Sequence, residues 1–126
     1  MYYDLLAKIK NAQRADKEIV LAPFSNFDFA VGKFLATAGY LVSAEKRAVG
    51  KKPMLEFKLR YTNGQPAMTD FKLVSKPSRH IYVGYRDLKP VRQNQGIGVI
   101  STPDGLVSNK EARKKKLGGE YLFEIW

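Results

Sequence analysis

The chain has 126 residues, 44% of them hydrophobic and 12% aromatic, enough apolar material for one compact domain or two small ones that support each other. Its 22 lysines and arginines stand against 12 carboxylates, a net charge of +10, with a single histidine and no cysteine. These counts exclude disulfides, thiolate metal sites and cysteine nucleophiles, and a lone His80 cannot assemble a histidine-based metal site, so neither metal nor cofactor is expected. No apolar run reaches the roughly eighteen residues of a bilayer span, and Met1-Tyr2-Tyr3-Asp4 lacks the basic start of a signal peptide, so no membrane partner and a cytoplasmic location are expected. Residues 1 to 63 hold 11 basic and 6 acidic side chains, and residues 64 to 126 hold the same numbers. Charge spread over two patterned halves suits a folded body facing a polyanion, and nucleic acid is the partner that rewards it through counterion release.

In chain order, Tyr2, Leu5, Leu6, Ile9 and Ala12 recur at helical spacing, with Asp4 near the start and Arg14 at the end, as the helix dipole favours. Glu18 to Ala22 is a short β-prone run closed by Pro23. Ser25 and Asp28 offer a capping-box-like start to a second helix striped by Phe27, Val31, Phe34, Leu35 and Ala38 and ended by Gly39. Tyr40 to Lys46 reads as a strand leading to a turn around Gly50. Leu55, Phe57, Leu59 and Tyr61 then alternate with Glu56, Lys58 and Arg60, the mark of a strand with one wet face.

Thr62-Asn63-Gly64-Gln65-Pro66 gathers turn formers and marks a boundary. Beyond it, Met68 to Val74 and Arg79 to Tyr85 read as strands around Lys76-Pro77-Ser78. Arg92 to Gly96 reads as a loop, and Ile97 to Ile100 as a strand leading to a Ser101-Thr102-Pro103-Asp104-Gly105 turn. Ser108 and Glu111 match a capping box for a short helix from Asn109 to about Lys116, stopped by Gly118-Gly119. Glu120 to Trp126 closes the chain as a strand with Tyr121, Phe123 and Ile125 on one face. The expected class is α+β, with a small N-terminal α-β-α-β-β domain over residues 1–64 and a β-rich domain with one short helix over residues 65–126.

Catalytic patterns are thin. There is no P-loop, and Gly96-Ile97-Gly98 is a fragment of a dinucleotide fingerprint without its third glycine or acidic partner. No nucleophile-elbow sequence surrounds Ser75 or Ser101, and His80 reads as a surface or half-buried residue, with a nuclease or phosphotransferase using His80 and nearby carboxylates as the enzyme alternative. Asp87, Glu120 and Glu124 are scattered among cations, suited to ion pairing or to accepting from base amino groups. The Ser101-Thr102 turn is open to two readings, ordinary hairpin chemistry or a polar tip for an irregular RNA groove.

Spacing decides between them. Gly96, two residues, Val99-Ile100-Ser101-Thr102, two residues, Gly105-Leu106-Val107, four residues and Ala112-Arg113 resembles the signature of the small-subunit ribosomal protein eight family, bacterial type. The resemblance continues in Leu5 to Ala12, in Ser75-Lys76-Pro77 with Ile81-Tyr82-Val83, and in Lys110 to Arg113 followed by Gly118-Gly119-Glu120. It covers nearly the whole chain and is weakest from Pro23 to Met54. It implies an N-terminal α/β domain and a β-rich RNA-binding domain, and no enzyme. The implied partner is the central domain of small-subunit ribosomal RNA, bound during assembly beside neighbouring small-subunit ribosomal proteins.

The family's hydroxyl loop falls on Ser101 and Thr102, with Gly105 allowing close backbone approach. Tyr82 and Glu120 sit beside it as stacking, bracing or packing residues, and Lys8, Lys10, Asn11 and Lys76 are expected to contact RNA away from the loop. Pro103 stands where relatives carry a third hydroxyl, removing a side-chain donor and a backbone donor together. A regulatory reading, in which the same surface binds a ribosomal-protein messenger RNA and represses its translation, stays open beside the structural one.

Overall fold

The computed structural model describes residues 2–76, 78–91 and 95–126; Pro77 of the expected tight connection and Arg92 to Asn94 of the expected loop lie outside them. Two compact units follow one another, Met1–Met68 and Thr69–Trp126. The class is α+β as expected, with the order α-β-α-β-β opening the chain and a β-rich second part carrying one short α-helix.

In the first unit, α1 (Tyr2–Arg14) buries Tyr2, Leu5, Leu6, Ile9 and Ala12, the stripe its spacing predicts, together with Gln13. After β1 (Ile19–Pro23) comes α2 (Asn26–Ala38), whose Asp28 amide donates to the Ser25 hydroxyl at 3.4 Å. Its buried face is Asp28, Val31, Gly32 and Leu35. The expected stripe is therefore rotated: Ala38 is exposed and Phe27 is 39% exposed, with the Phe27 ring lying against Tyr2 at 5.6 Å between centroids.

Strands β2 (Leu41–Val49) and β3 (Lys52–Leu59) form a long hairpin, and the antiparallel sheet runs in the order β1-β3-β2. Val20, Ala22, Leu41, Ala44, Leu55, Phe57 and Leu59 form its buried face. Leu41 and Ala44 both point inward despite their odd spacing because the register slips between Leu41 and Ser43, and Val42 is left 53% exposed. Tyr61–Thr62 (β4) pairs with Gln65–Pro66 (β5) around Asn63 and Gly64 at φ +53° and +77°, the two left-handed residues of a tight hairpin, so this stretch is part of the first unit's structure.

The second unit is built on β10 (Gly119–Ile125). One of its edges is shared by two short strands, β6 (Phe71–Leu73) against Phe123 to Ile125 and β7 (Tyr82–Val83) against Gly119 and Glu120. These are shorter than the runs expected at 68–74 and 79–85, and Tyr85–Asp87 turns into a 3₁₀ helix. Between β6 and β7 the amides of Val74 and Ser75 both reach the Leu122 carbonyl at 3.1 Å. On its other edge β10 pairs with β8 (Ile97–Thr102), which pairs in turn with β9 (Gly105–Ser108).

A bulge at Leu122 changes the faces of β10. Tyr121 lies opposite Ile100 and Phe123 opposite Val99. Since Ile100 and Val99 are consecutive, Tyr121 faces one side of the sheet and Phe123 with Ile125 the other, against the single apolar face that alternation predicts. The Tyr121 side holds Leu88, Ile100, Val107 and Ala112, the last from α3 (Asn109–Lys115).

Candidate nucleic-acid interface

The bulge is what assembles the site. With Tyr121 turned toward the α3 side, Glu120 falls on the opposite face, directly across from Ser101 on β8 and from Tyr82 on β7. Ser101 is in turn paired with Leu106 on β9. Directly paired residues of antiparallel strands share a face, so Tyr82, Glu120, Ser101 and Leu106 form one row across four strands. Tyr82 is 73% exposed, far more than packing would leave an aromatic side chain. Glu120 accepts from or pairs with His80, whose Nδ1 lies 2.8 Å from its carboxylate. His80 is an exposed residue that holds the Glu120 carboxylate.

Ser101 and Thr102 do different work. Alternation along β8 puts Ser101 on the open row and Thr102 on the buried side, where it is 8% exposed. The Thr102 hydroxyl donates to the Gly105 carbonyl at 2.9 Å and accepts from the Asp104 amide at 3.2 Å, closing the turn around Pro103 and Asp104. Its only hydrogen is used within the turn. Among the described residues the Ser101 hydroxyl has no such partner. Gly105 takes φ +107°, a value that L side chains rarely adopt, and Pro103, Asp104 and Gly105 are exposed.

Three residues hold this arrangement from behind. A Cβ on Gly119 would lie 2.1 Å from the Ser101 carbonyl oxygen, so Gly119 is what lets β10 approach β8 beside the turn; it opens a strand and does not stop the preceding helix. That helix ends at Lys116, in the left-handed region at φ +57°. Buried Ser75 donates to the Tyr121 carbonyl at 2.7 Å and accepts from the Ile81 amide at 2.9 Å, stitching the segment before β7 to β10. Buried Asn109 accepts from the Gly98 amide at 3.2 Å and donates to the Lys89 carbonyl at 2.9 Å. Ser75 was marked in the sequence only as part of the family resemblance, and Asn109, between Ser108 and Lys110, carries no hydrophobic signal for its burial.

The basic residues are distributed. Lys76 is exposed on the connection before β7, where its amide and carbonyl exchange hydrogen bonds with Arg79. Lys110, Lys114 and Lys116 are exposed on and after α3, Lys115 pairs with Glu111 at 2.9 Å, and Arg113 donates to the Leu88 carbonyl at 3.4 Å. In the first unit, Lys8 and Asn11 are exposed one helical turn apart and flank a cleft of about 620 Å³ that also includes Asp4, Pro23 and Ser25. Lys10 is half-buried and stands about 200° around the helix from Lys8. The three do not form one cluster. Among the described residues no group of histidines and carboxylates is placed to hold a metal ion, and no helix is long and apolar enough to cross a membrane.

Comparison with known proteins matches residues 2–126 to the family described as Ribosomal protein S8. Among curated relatives, the small ribosomal subunit protein uS8 of Zymomonas mobilis is 42% identical over 123 residues, covering 98% of this chain and 94% of the relative. Those of Erythrobacter litoralis and Mycoplasmopsis agalactiae are 41% and 37% identical with the same coverage.

Proposed function

The chain belongs to the Ribosomal protein S8 family, a structural family and not an enzymatic one, and from that premise we propose that it is a constituent of the cytoplasmic small ribosomal subunit that binds the central domain of small-subunit ribosomal RNA. The observation that carries the RNA-binding reading is the row of Tyr82, Glu120 and Ser101 beside the Ser101-to-Gly105 turn. An exposed aromatic ring, a carboxylate held by a histidine and a partly exposed hydroxyl in one row supply the three contacts irregular RNA offers: a base to stack, an amino group to accept from, and a sugar hydroxyl or base edge to pair with.

Ser101 is the side chain that reads the RNA, while Thr102 and Gly105 shape the turn that presents it. Tyr82 stacks on a base, and Glu120 accepts from a base amino group. Pro103 has no amide hydrogen and the Asp104 amide is used by Thr102, so the tip recognises RNA mainly through Ser101 and its carbonyls. Lys76 and the lysines of α3 neutralise phosphates around the second unit, and Lys8 and Asn11 do so from the first.

Titration of a central-domain fragment of small-subunit ribosomal RNA tests this. Ser101→Ala and Tyr82→Ala are each expected to weaken binding about tenfold, in keeping with roughly 1–3 kcal/mol for a stacked base. Wild-type affinity in both variants would remove the row as the binding surface.

A further inference from the structure

The first unit carries a second combination of aromatic and cationic groups, which shares Phe24 with the cleft flanked by Lys8 and Asn11. The β2–β3 hairpin turns at Gly50 and Lys51, and residues 46 to 52 contain Lys46, Arg47, Lys51 and Lys52 without a carboxylate. At its base Phe24, Lys46, Arg47, Ala48, Pro53 and Met54 line a slot of about 370 Å³. The slot exists because Phe24 continues past β1, donating its amide to the Pro53 carbonyl at 3.2 Å.

The Lys46 ammonium stands 5.0 Å from the centroid of Phe24 and 5.3 Å from that of Phe29, and the Lys33 ammonium stands 5.3 Å from Phe29. Such contacts hold lysine charge beside a ring without neutralising it. Arg47 is paired with Glu56, so the positive field at the rim comes chiefly from Lys33, Lys46, Lys51 and Lys52.

We propose that this slot and hairpin form a second RNA contact, which takes one unstacked base of a single strand against Phe24 and its flanking phosphates on the surrounding lysines. The mostly apolar lining of Phe24, Ala48, Pro53 and Met54, with Lys46 and Arg47 beside it and Lys51 and Lys52 on the adjoining hairpin, matches a nucleobase between two phosphates. An acidic peptide could pair with Lys46 but has no flat ring to set against Phe24, Pro53 and Met54. The inference rests on the reading of the chain as an RNA-binding protein but not on the Ser101 turn.

The intact chain titrated with a ten-nucleotide oligoadenylate, followed by amide chemical shifts, provides the test, with a ten-residue polyglutamate in parallel. Shifts are expected at Phe24 and at residues 46–54. Phe24→Leu, which keeps apolar bulk but removes the ring, should weaken oligoadenylate about tenfold. The doubly substituted Lys51→Gln, Lys52→Gln chain, altered only at exposed positions, should lower the slope of log affinity against log salt by about 1.4.

Shifts confined to residues 69–126, wild-type behaviour of both slot variants, no binding at low salt, or polyglutamate binding the same amides at least as tightly would each overturn the proposal. Failure of the Ser101 row would show separately, as unchanged affinity of Ser101→Ala for the ribosomal RNA fragment.

Discussion

Ser101 and Thr102 are adjacent hydroxyls with opposite surroundings, and their substitution should separate recognition from architecture. Thr102→Val keeps the shape but deletes a donor used by Gly105 and an acceptor used by Asp104. It should cost about 1–2 kcal/mol in urea unfolding, near 1 kcal/mol for each hydrogen bond. Ser101→Ala, on the open row, should change stability by less than about 0.5 kcal/mol while weakening RNA binding. If the two variants lose stability equally, the division of labour between them is wrong. Gly119→Ala is the sharpest test of the scaffold: the added methyl meets the Ser101 carbonyl, so strands β8 and β10 must part beside the turn. A loss of about 1–3 kcal/mol is expected from overpacking of this kind, read as a lowered midpoint of thermal unfolding.

At the level of elements, caps and turns were legible because their chemistry is local. Ser108 accepts from the Glu111 amide at 3.1 Å, as the spacing of Ser and Glu predicts, and α3 begins there. Ser108→Ala should therefore cost about 1 kcal/mol; an unaltered melting midpoint would show that packing of Ala112 alone holds the helix. The apolar stripe of α1 was equally readable. That of α2 was readable in part: Val31 and Leu35 are buried as expected, but the helix also settles on Gly32 and Asp28, which hydrophobicity does not select, and leaves Phe27 outside. The Asn63-Gly64 hairpin shows a different limit: turn formers identify a turn, but whether the turn links domains or closes a hairpin depends on the pairing of Tyr61 with Pro66.

For the whole molecule, charge sets the expectation. A surplus of ten positive charges spread over both halves implies binding dominated by phosphate neutralisation, and five or six contacts would give a log–log salt slope of roughly −4 to −5. Affinity for the ribosomal RNA fragment measured from low to moderate salt checks this, and a flat response would exclude the phosphate-rich interface.

Composition, helical and strand periodicity, the capping serines and the signature from Gly96 to Arg113 were enough to establish the α+β class, the family and the position of the turn, since each depends on residues close together in the chain. Tertiary structure decided which of those residues share a face. The Leu122 bulge inverts the alternation of β10, sending Tyr121 toward α3 and leaving Glu120 in line with Ser101 and Tyr82. Alternation along β8 turns Thr102 inward to close the turn that Ser101 presents. A bulge is a mismatch between two paired strands, so it has no signature in either strand alone.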